Sequence, residues 1–262
     1  MKSTLDQIKD IKNHGYALDF SNVFNHAFEN YKKIALYAGL MILVFSVFFG
    51  FIAYAILGSI FGLDKLTNAN LLSIKPEHLS QIHLIYYIAG SAFVSALFSP
   101  FTAGFLKMAD CADKDEEFKV ATIFTYYKTH HFSQIFLATF IISLFSVVIT
   151  SFLEIQKLNS LGLIISLIIS FFTFLTIPLI IFGNLSAINA IKSSFIIIAK
   201  QPIVLLGLMI MIIAAYVVGL LALCIGLVFT IPFTYSMTYA IYCAIFNIDK
   251  EDPIDSIGQS DF

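Results

Sequence analysis

Long apolar runs separated by short polar stretches organise the chain. A hydrocarbon core of about 30 Å needs roughly 20 apolar residues of helix. Six segments meet that requirement. They run from about Ile34 to Leu63, Ile82 to Leu106, Phe132 to Leu153 and Leu161 to Phe182, with two more inside Pro202 to Phe246, divided near Cys224 to Gly226. The pattern predicts an all-α polytopic membrane protein with about six transmembrane helices. No Asp, Glu, Lys or Arg falls inside these runs. Intramembrane charges mark proton relays and ion paths, so their absence argues against a proton-coupled pump or a charge-selective channel.

Three of the intervening polar stretches have helical periodicity of their own. In the first, Phe20, Val23, Phe24, Ala27, Phe28 and Tyr31 share a face, opposite Asn22, Asn25, His26, Glu29, Asn30 and Lys33. Val120, Ile123, Phe124 and Tyr127 repeat the spacing, as do Ile188, Ile191, Phe195 and Ile198. Spacings of three and four place such residues on one stripe. An apolar stripe with lysines nearby suits a helix lying in the headgroup plane.

The order amphipathic helix, span, span with a late proline then occurs three times, over 20–108, 119–183 and 185–247. The late prolines are Pro100, Pro178 and Pro232. Two spans per unit make the repeats parallel, related by an axis along the membrane normal. Each proline frees a carbonyl one turn earlier and is a candidate kink. Within a membrane that carbonyl needs a local donor; Ser99, Thr176 and Thr230 are the nearby candidates. The six-span domain occupies 17–248. Before it, in 1–16, Ser3, Leu5, Ile8 and Ile11 predict a short capped helix ending at Gly15. After it, 249–262 is an acidic polar tail, expected to be flexible.

Lysine placement predicts orientation. Twelve of the fifteen basic residues lie in the N-terminal region, 107–131, 183–201 and the tail; only Lys65, Lys75 and Lys157 lie on the other side. The positive-inside rule makes the first side cytoplasmic, with both termini there. The first apolar run lies behind a largely polar stretch with no small-residue cleavage pattern, so a removable signal is not expected. The reading is a bacterial inner-membrane protein.

Composition agrees. Hydrophobic residues make up 59% and charged residues 12%, with mean hydropathy +0.89; soluble domains carry roughly 25% charged residues. A net charge of −2 offers nothing to nucleic acid. Every basic residue is lysine, so bidentate arginine clamps are absent. Cys111, Cys224 and Cys243 match no metal spacing.

Candidate chemistry is sparse. Tyr235, Tyr239 and Tyr242 recur at four and three on the last span, as a possible contact face for a partner or lipid headgroup. Phe20, Phe24 and Phe28 offer a second such face. Ser91, Ser95 and Ser99 form a hydroxyl stripe suited to a polar lining or to close packing. Asp110, Asp113, Asp115, Glu116 and Glu117 read as a solvated acidic loop, or a docking site for a basic partner. His130 and His131 are adjacent and do not share a helix face. No nucleophile elbow, phosphate loop or zinc-protease helix is present. No catalytic residue, metal or cofactor is expected.

The third unit reads Asn184-Leu-Ser-Ala-Ile-Asn-Ala-Ile-Lys192-Ser-Ser-Phe195, followed by an apolar run and Ile231-Pro232-Phe233. This resembles a loose group of bacterial six-span membrane proteins of unknown function, and is similar to the membrane domain of some glycerophosphodiester phosphodiesterases. In those enzymes the chemistry resides in an appended barrel. A barrel takes about 250 residues of its own, so the resemblance implies the membrane fold without the activity. The expected function is a non-enzymatic accessory or scaffold subunit of a membrane assembly, such as a protein biogenesis or secretion machine. Its expected partners are membrane lipids and other membrane proteins. The alternative is a transporter or carrier of a lipid or neutral solute.

Overall fold

The computed structural model describes residues 3–61, 76, 79–222 and 225–246. Ten α-helices make up these residues, with no strand among them. They are α1 (Thr4–His14), α2 (Phe20–Phe61), α3 (Gln81–Asp113), α4 (Val120–Ile123), α5 (His131–Ile155), α6 (Asn159–Thr173), α7 (Thr176–Ile181), α8 (Ala187–Lys200), α9 (Pro202–Leu221) and α10 (Ile225–Phe246). Six helical stretches are long and apolar enough to cross a membrane: α2, α3, α5, α6 with α7, α9 and α10. The last apolar block divides into α9, which ends at Leu221, and α10, which begins at Ile225. Lys65, Lys75, His78, Cys224 and the tail 249–262 lie outside the described residues.

Local chemistry explains the helix ends. Ser3 caps α1, its Oγ accepting from the Asp6 N–H. Gly15 closes it at φ +76° while its N–H reaches the Ile11 carbonyl at 2.8 Å, a left-handed position that glycine occupies without a Cβ penalty. Asp19 starts α2, its Oδ1 accepting from the Asn22 N–H at 2.7 Å.

The amphipathic stretches are realised in three different ways. The first does not lie flat: Phe20 to Lys33 is the beginning of α2, continuous with the span. At 1.5 Å per residue, α2 is roughly 63 Å long, twice a bilayer core. Helical propensity runs unbroken through Lys32-Lys33-Ile34, and no Gly or Pro separates the two parts. The second shrinks to the single turn α4 and a 3₁₀ turn over Thr125–Tyr127. The third forms α8, and its apolar stripe is divided. Ile198 is buried and Ile191 packs against the core, together with Ala187, Ala190, Ser193, Ser194 and Ile197, while Ile188 and Phe195 are about half exposed. Small side chains let helix backbones approach, and large apolar ones gain nothing by leaving lipid.

The prolines also diverge. Pro100 and Pro232 sit inside uninterrupted helices. At Pro178 the span breaks into α6 and α7, with Phe174 and Leu175 between them. The break falls where the missing Pro178 N–H leaves the Phe174 carbonyl without its helical donor.

Packing is concentrated at one end of the bundle, here termed the base. α10 is the central post: 61% of an apolar 18-residue stretch within it is buried, against 17–33% of the corresponding stretch in the other five. It packs against α2, α9 and α3; α5 packs against α3 and α6; α1 and α8 close the base. The hydrophobic core includes Ile34, Phe105, Met108, Leu175, Leu179, Ile197 and Ile241. Toward the opposite end the helices expose their apolar side chains, among them Phe51, Phe145 and Leu221.

Candidate functional site

At the base, α2, α3 and α10 meet through polar groups. Asn30 is buried on α2 and works in both directions. Its Nδ2 donates to the Ala109 carbonyl of α3 at 2.8 Å, and its Oδ1 accepts from Ser236 Oγ of α10 at 2.8 Å. One turn earlier, His26 Nε2 lies 2.7 Å from Asp113 Oδ1. The Tyr239 hydroxyl stands between two carboxylates, donating toward Asp110 Oδ1 at 3.2 Å and Asp113 Oδ2 at 3.3 Å. Lys107 and Lys114 hold Asp110 at 2.6 and 2.8 Å. Lys33 reaches from α2 to the Ala112 carbonyl at 2.9 Å and Asp115 at 2.6 Å.

The physical logic is saturation. A buried carboxylate is costly unless paired and hydrogen-bonded. Asp110 is 4% exposed and receives two ammonium groups and a phenol. The result is a cross-brace fixing three helices to one another. Among the described residues no group of three His, Cys, Asp or Glu could hold a metal ion.

This arrangement revises several readings. Asp110 and Asp113 belong to the last turn of α3 rather than to a solvated loop, because the helix runs on past the apolar stretch; Asp115 is exposed beyond it. His26, Asn30 and Lys33, read as a solvent-facing stripe, reach across to α3. Tyr239 and Tyr242 are buried in the core, not presented to a partner or lipid headgroup. Tyr239 packs edge-on to Phe182 and Tyr242 tilts against it, while Tyr235 stacks on Phe105 at 4.9 Å. Rings with a polar tip fill a core well where a partner meets the hydroxyl, and the paired carboxylates supply one for Tyr239.

Sequence reasoning missed this network because its members come from 26–33, 107–115 and 236–239. The available signal was polar residues at three- and four-residue spacing (His26, Asn30 and Lys33; Lys107, Asp110, Asp113 and Lys114) on helices otherwise apolar.

The hydroxyl stripe does not converge. Ser91 and Ser99 bond carbonyls of their own helix, Ile88 at 3.1 Å and Ala96 at 2.7 Å, while Ser95 is exposed. Ala96 is the carbonyl that Pro100 frees, so Ser99 serves as the local donor expected of it. Thr176 does not do so: its Oγ1 is buried without a hydrogen-bond partner. Thr230 bonds the Leu227 carbonyl at 3.4 Å. His131 Nε2 meets Asn184 Oδ1 at 2.9 Å, across to the α7–α8 turn. At the edge of the base the Tyr16 hydroxyl donates to the Ile197 carbonyl at 3.0 Å, and burial pushes its phenol well above the usual range. Cys111 and Cys243 are buried.

Phe20, Phe24 and Phe28 remain at the surface. They form a ladder with centroids 6.3 and 6.2 Å apart. Phe24 and Phe28, with Tyr31, Ala215, Val218 and Phe233, line an open groove of about 300 Å³ between α2, α9 and α10.

These features define an all-α polytopic membrane protein. No family model matches the chain, and neither a curated protein nor a solved structure matches it.

Proposed function

We propose that this is a non-enzymatic integral protein of a bacterial inner membrane, with both termini cytoplasmic, acting as a scaffold or accessory subunit of a membrane assembly. A protein biogenesis or secretion machine is the kind of host it suits. The observation that carries the reading is the contrast between the two ends of the bundle. The base is braced by buried hydrogen bonds and partly exposed ion pairs, while in three of the spans only 17% of an apolar 18-residue stretch is buried within the chain. Membrane helices associate by packing rather than by escape from water. Spans with so little packing of their own leave surface for the helices of other proteins.

Orientation follows from the lysines. Lys33, Lys107 and Lys114 gather at the base, and α1, with Lys9 and Lys12, packs on α8, with Lys192 and Lys200. An excess of lysine on one side supports a cytoplasmic base. The carrier reading has less support, because Ser91 and Ser99 bond back onto their own helix while Ser95 is exposed.

The test is to tag the C-terminus, extract native membranes in mild detergent and identify what co-purifies. A membrane protein in stoichiometric amount is expected. A monodisperse lone chain from the same extraction, with no protein crosslinked to Phe51 or Phe145 positions in intact membranes, would sink the scaffold reading.

A further inference from the structure

We propose that the cleft between α5 and α6, at the end of the bundle opposite the base, binds a phospholipid with a primary ammonium headgroup. Thr150 and Glu154 line it from α5, and Asn159, Leu163, Ser166 and Leu167 from α6, around about 500 Å³. Glu154 is the one Asp, Glu, Lys or Arg in either helix. Among the described residues its carboxylate makes no hydrogen bond or ion pair, and neither does the Asn159 amide or the Ser166 hydroxyl. Thr150 is already satisfied, donating to the Ser146 carbonyl at 3.0 Å. Lys157 follows on the turn at φ +60°, exposed and not paired with Glu154.

The chain reversal fixes the depth of the cleft. α5 ends at Ile155 and α6 begins at Asn159, so Glu154 and Asn159 stand where both spans end. The far end of α5 lies at the base, where His131 meets Asn184. At 25 residues α5 is roughly 37 Å long, enough to cross a core of about 30 Å and bring the turn to headgroup level. Gly162 sets the register of the pair, since a Cβ there would lie 3.7 Å from the Leu153 Cβ and 3.8 Å from the Thr150 carbonyl. Ser166 is one turn deeper than Gly162, and Glu154 stands above it. At 1.5 Å per residue the carboxylate and the hydroxyl are about 10 Å apart along the cleft. Leu163 and Leu167 expose apolar surface beside them. Phosphatidylethanolamine carries matching groups along its length: an ammonium for Glu154 and Asn159, an ester carbonyl to accept from Ser166, and acyl chains for the leucines. Lys157 is left for the phosphate. A lysine on the helix of another protein could pair with Glu154, but that helix uses its carbonyls internally and would leave Ser166 without an acceptor.

The chain contains no tryptophan, so Leu167→Trp at the deep edge of the cleft is a clean fluorescent reporter, with Phe51→Trp as the control on open lipid-facing surface. Leu163→Trp replaces Leu167→Trp should the latter not fold. Each is purified in detergent and titrated with phosphatidylethanolamine brominated in its acyl chains. The cleft reporter is quenched at a lipid fraction about tenfold below that needed for Phe51→Trp, the ratio one charge-assisted contact supplies. Brominated phosphatidylglycerol, which lacks the ammonium, quenches the two reporters alike. Glu154→Gln, at a half-buried side chain, brings the phosphatidylethanolamine curve onto the phosphatidylglycerol curve. Ser166→Ala weakens phosphatidylethanolamine quenching without abolishing the preference. Parallel quenching of both reporters by phosphatidylethanolamine overturns the proposal, as does a preference that survives Glu154→Gln. A photo-crosslinker at Leu163 that captures a protein instead of lipid in intact membranes also overturns it, and makes the cleft a helix-docking groove. These outcomes are independent of whether spans elsewhere recruit a partner.

Discussion

Gly39 on α2 faces the Val228 carbonyl on α10 so closely that a Cβ at Gly39 would stand 2.9 Å from that oxygen. Val228 is the residue four before Pro232, so its carbonyl lacks a helical N–H donor. The missing side chain lets the α2 backbone pack over a polar group that the membrane would otherwise strand. Gly39→Ala must push the two helices apart. Overpacking of this kind costs about 1–3 kcal/mol. Thermal unfolding in detergent, followed by circular dichroism, should show a clear loss for Gly39→Ala and little change for Gly50→Ala, where nothing stands within 4 Å. Equal melting of both variants would contradict the contact.

Asn30 and Ser236 give the second prediction. Asn30→Ala removes the acceptor of a buried serine hydroxyl and the donor to the Ala109 carbonyl. An orphaned buried polar group costs about 1–3 kcal/mol. Adding Ser236→Ala removes the orphaned hydroxyl and should recover part of the loss. A double variant whose loss equals the sum of the two singles would show that the pair is not coupled.

His26 and Asp113 are the third pair. They are 2.7 Å apart with about a quarter of each side chain exposed, so solvent screens them only partly. A cycle of His26→Ala, Asp113→Ala and the double variant should return a coupling of roughly 1–2 kcal/mol, within the range of charge-assisted hydrogen bonds. The coupling should persist at high salt, because partly buried pairs are screened much less than exposed ones. A coupling abolished by salt would assign the pair to the open surface.

How much of this was legible in the chain depends on what each pattern reports. The six apolar runs were, because span length is a one-dimensional property; the cap at Ser3 and the turn at Gly15 were, because they are local. The α8 face was not. Ile188, Ile191, Phe195 and Ile198 share a hydropathy stripe, yet Ile188 and Phe195 face outward while Ile198 joins Ala187, Ala190 and Ser194 in the contact, since lipid and protein interior are equally apolar and hydropathy does not separate them. The brace was not legible either. Asn30 and Ser236 are 206 positions apart, and their pairing exists only after α10 enters between α2 and α3. The three late prolines look alike in sequence, but one breaks its helix and two do not.

Pro100 supplies the last prediction. The Ser99 hydroxyl donates to the Ala96 carbonyl at 2.7 Å, the acceptor that the Pro100 ring leaves without an N–H. A proline inside a span is tolerated when a neighbour re-satisfies the freed group, and here the neighbour is the preceding residue. Ser99→Ala keeps the volume of a position that is only 4% exposed and removes the donor. It should cost about 1–2 kcal/mol. Pro100→Ala in the same chain supplies a backbone N–H to that carbonyl, so the double variant should melt above Ser99→Ala alone. A steric role for Ser99 makes the opposite forecast, because changing Pro100 would then leave the serine's loss untouched. Melting curves of the wild type, the two single variants and the double variant decide between a hydrogen-bonding and a packing role for Ser99.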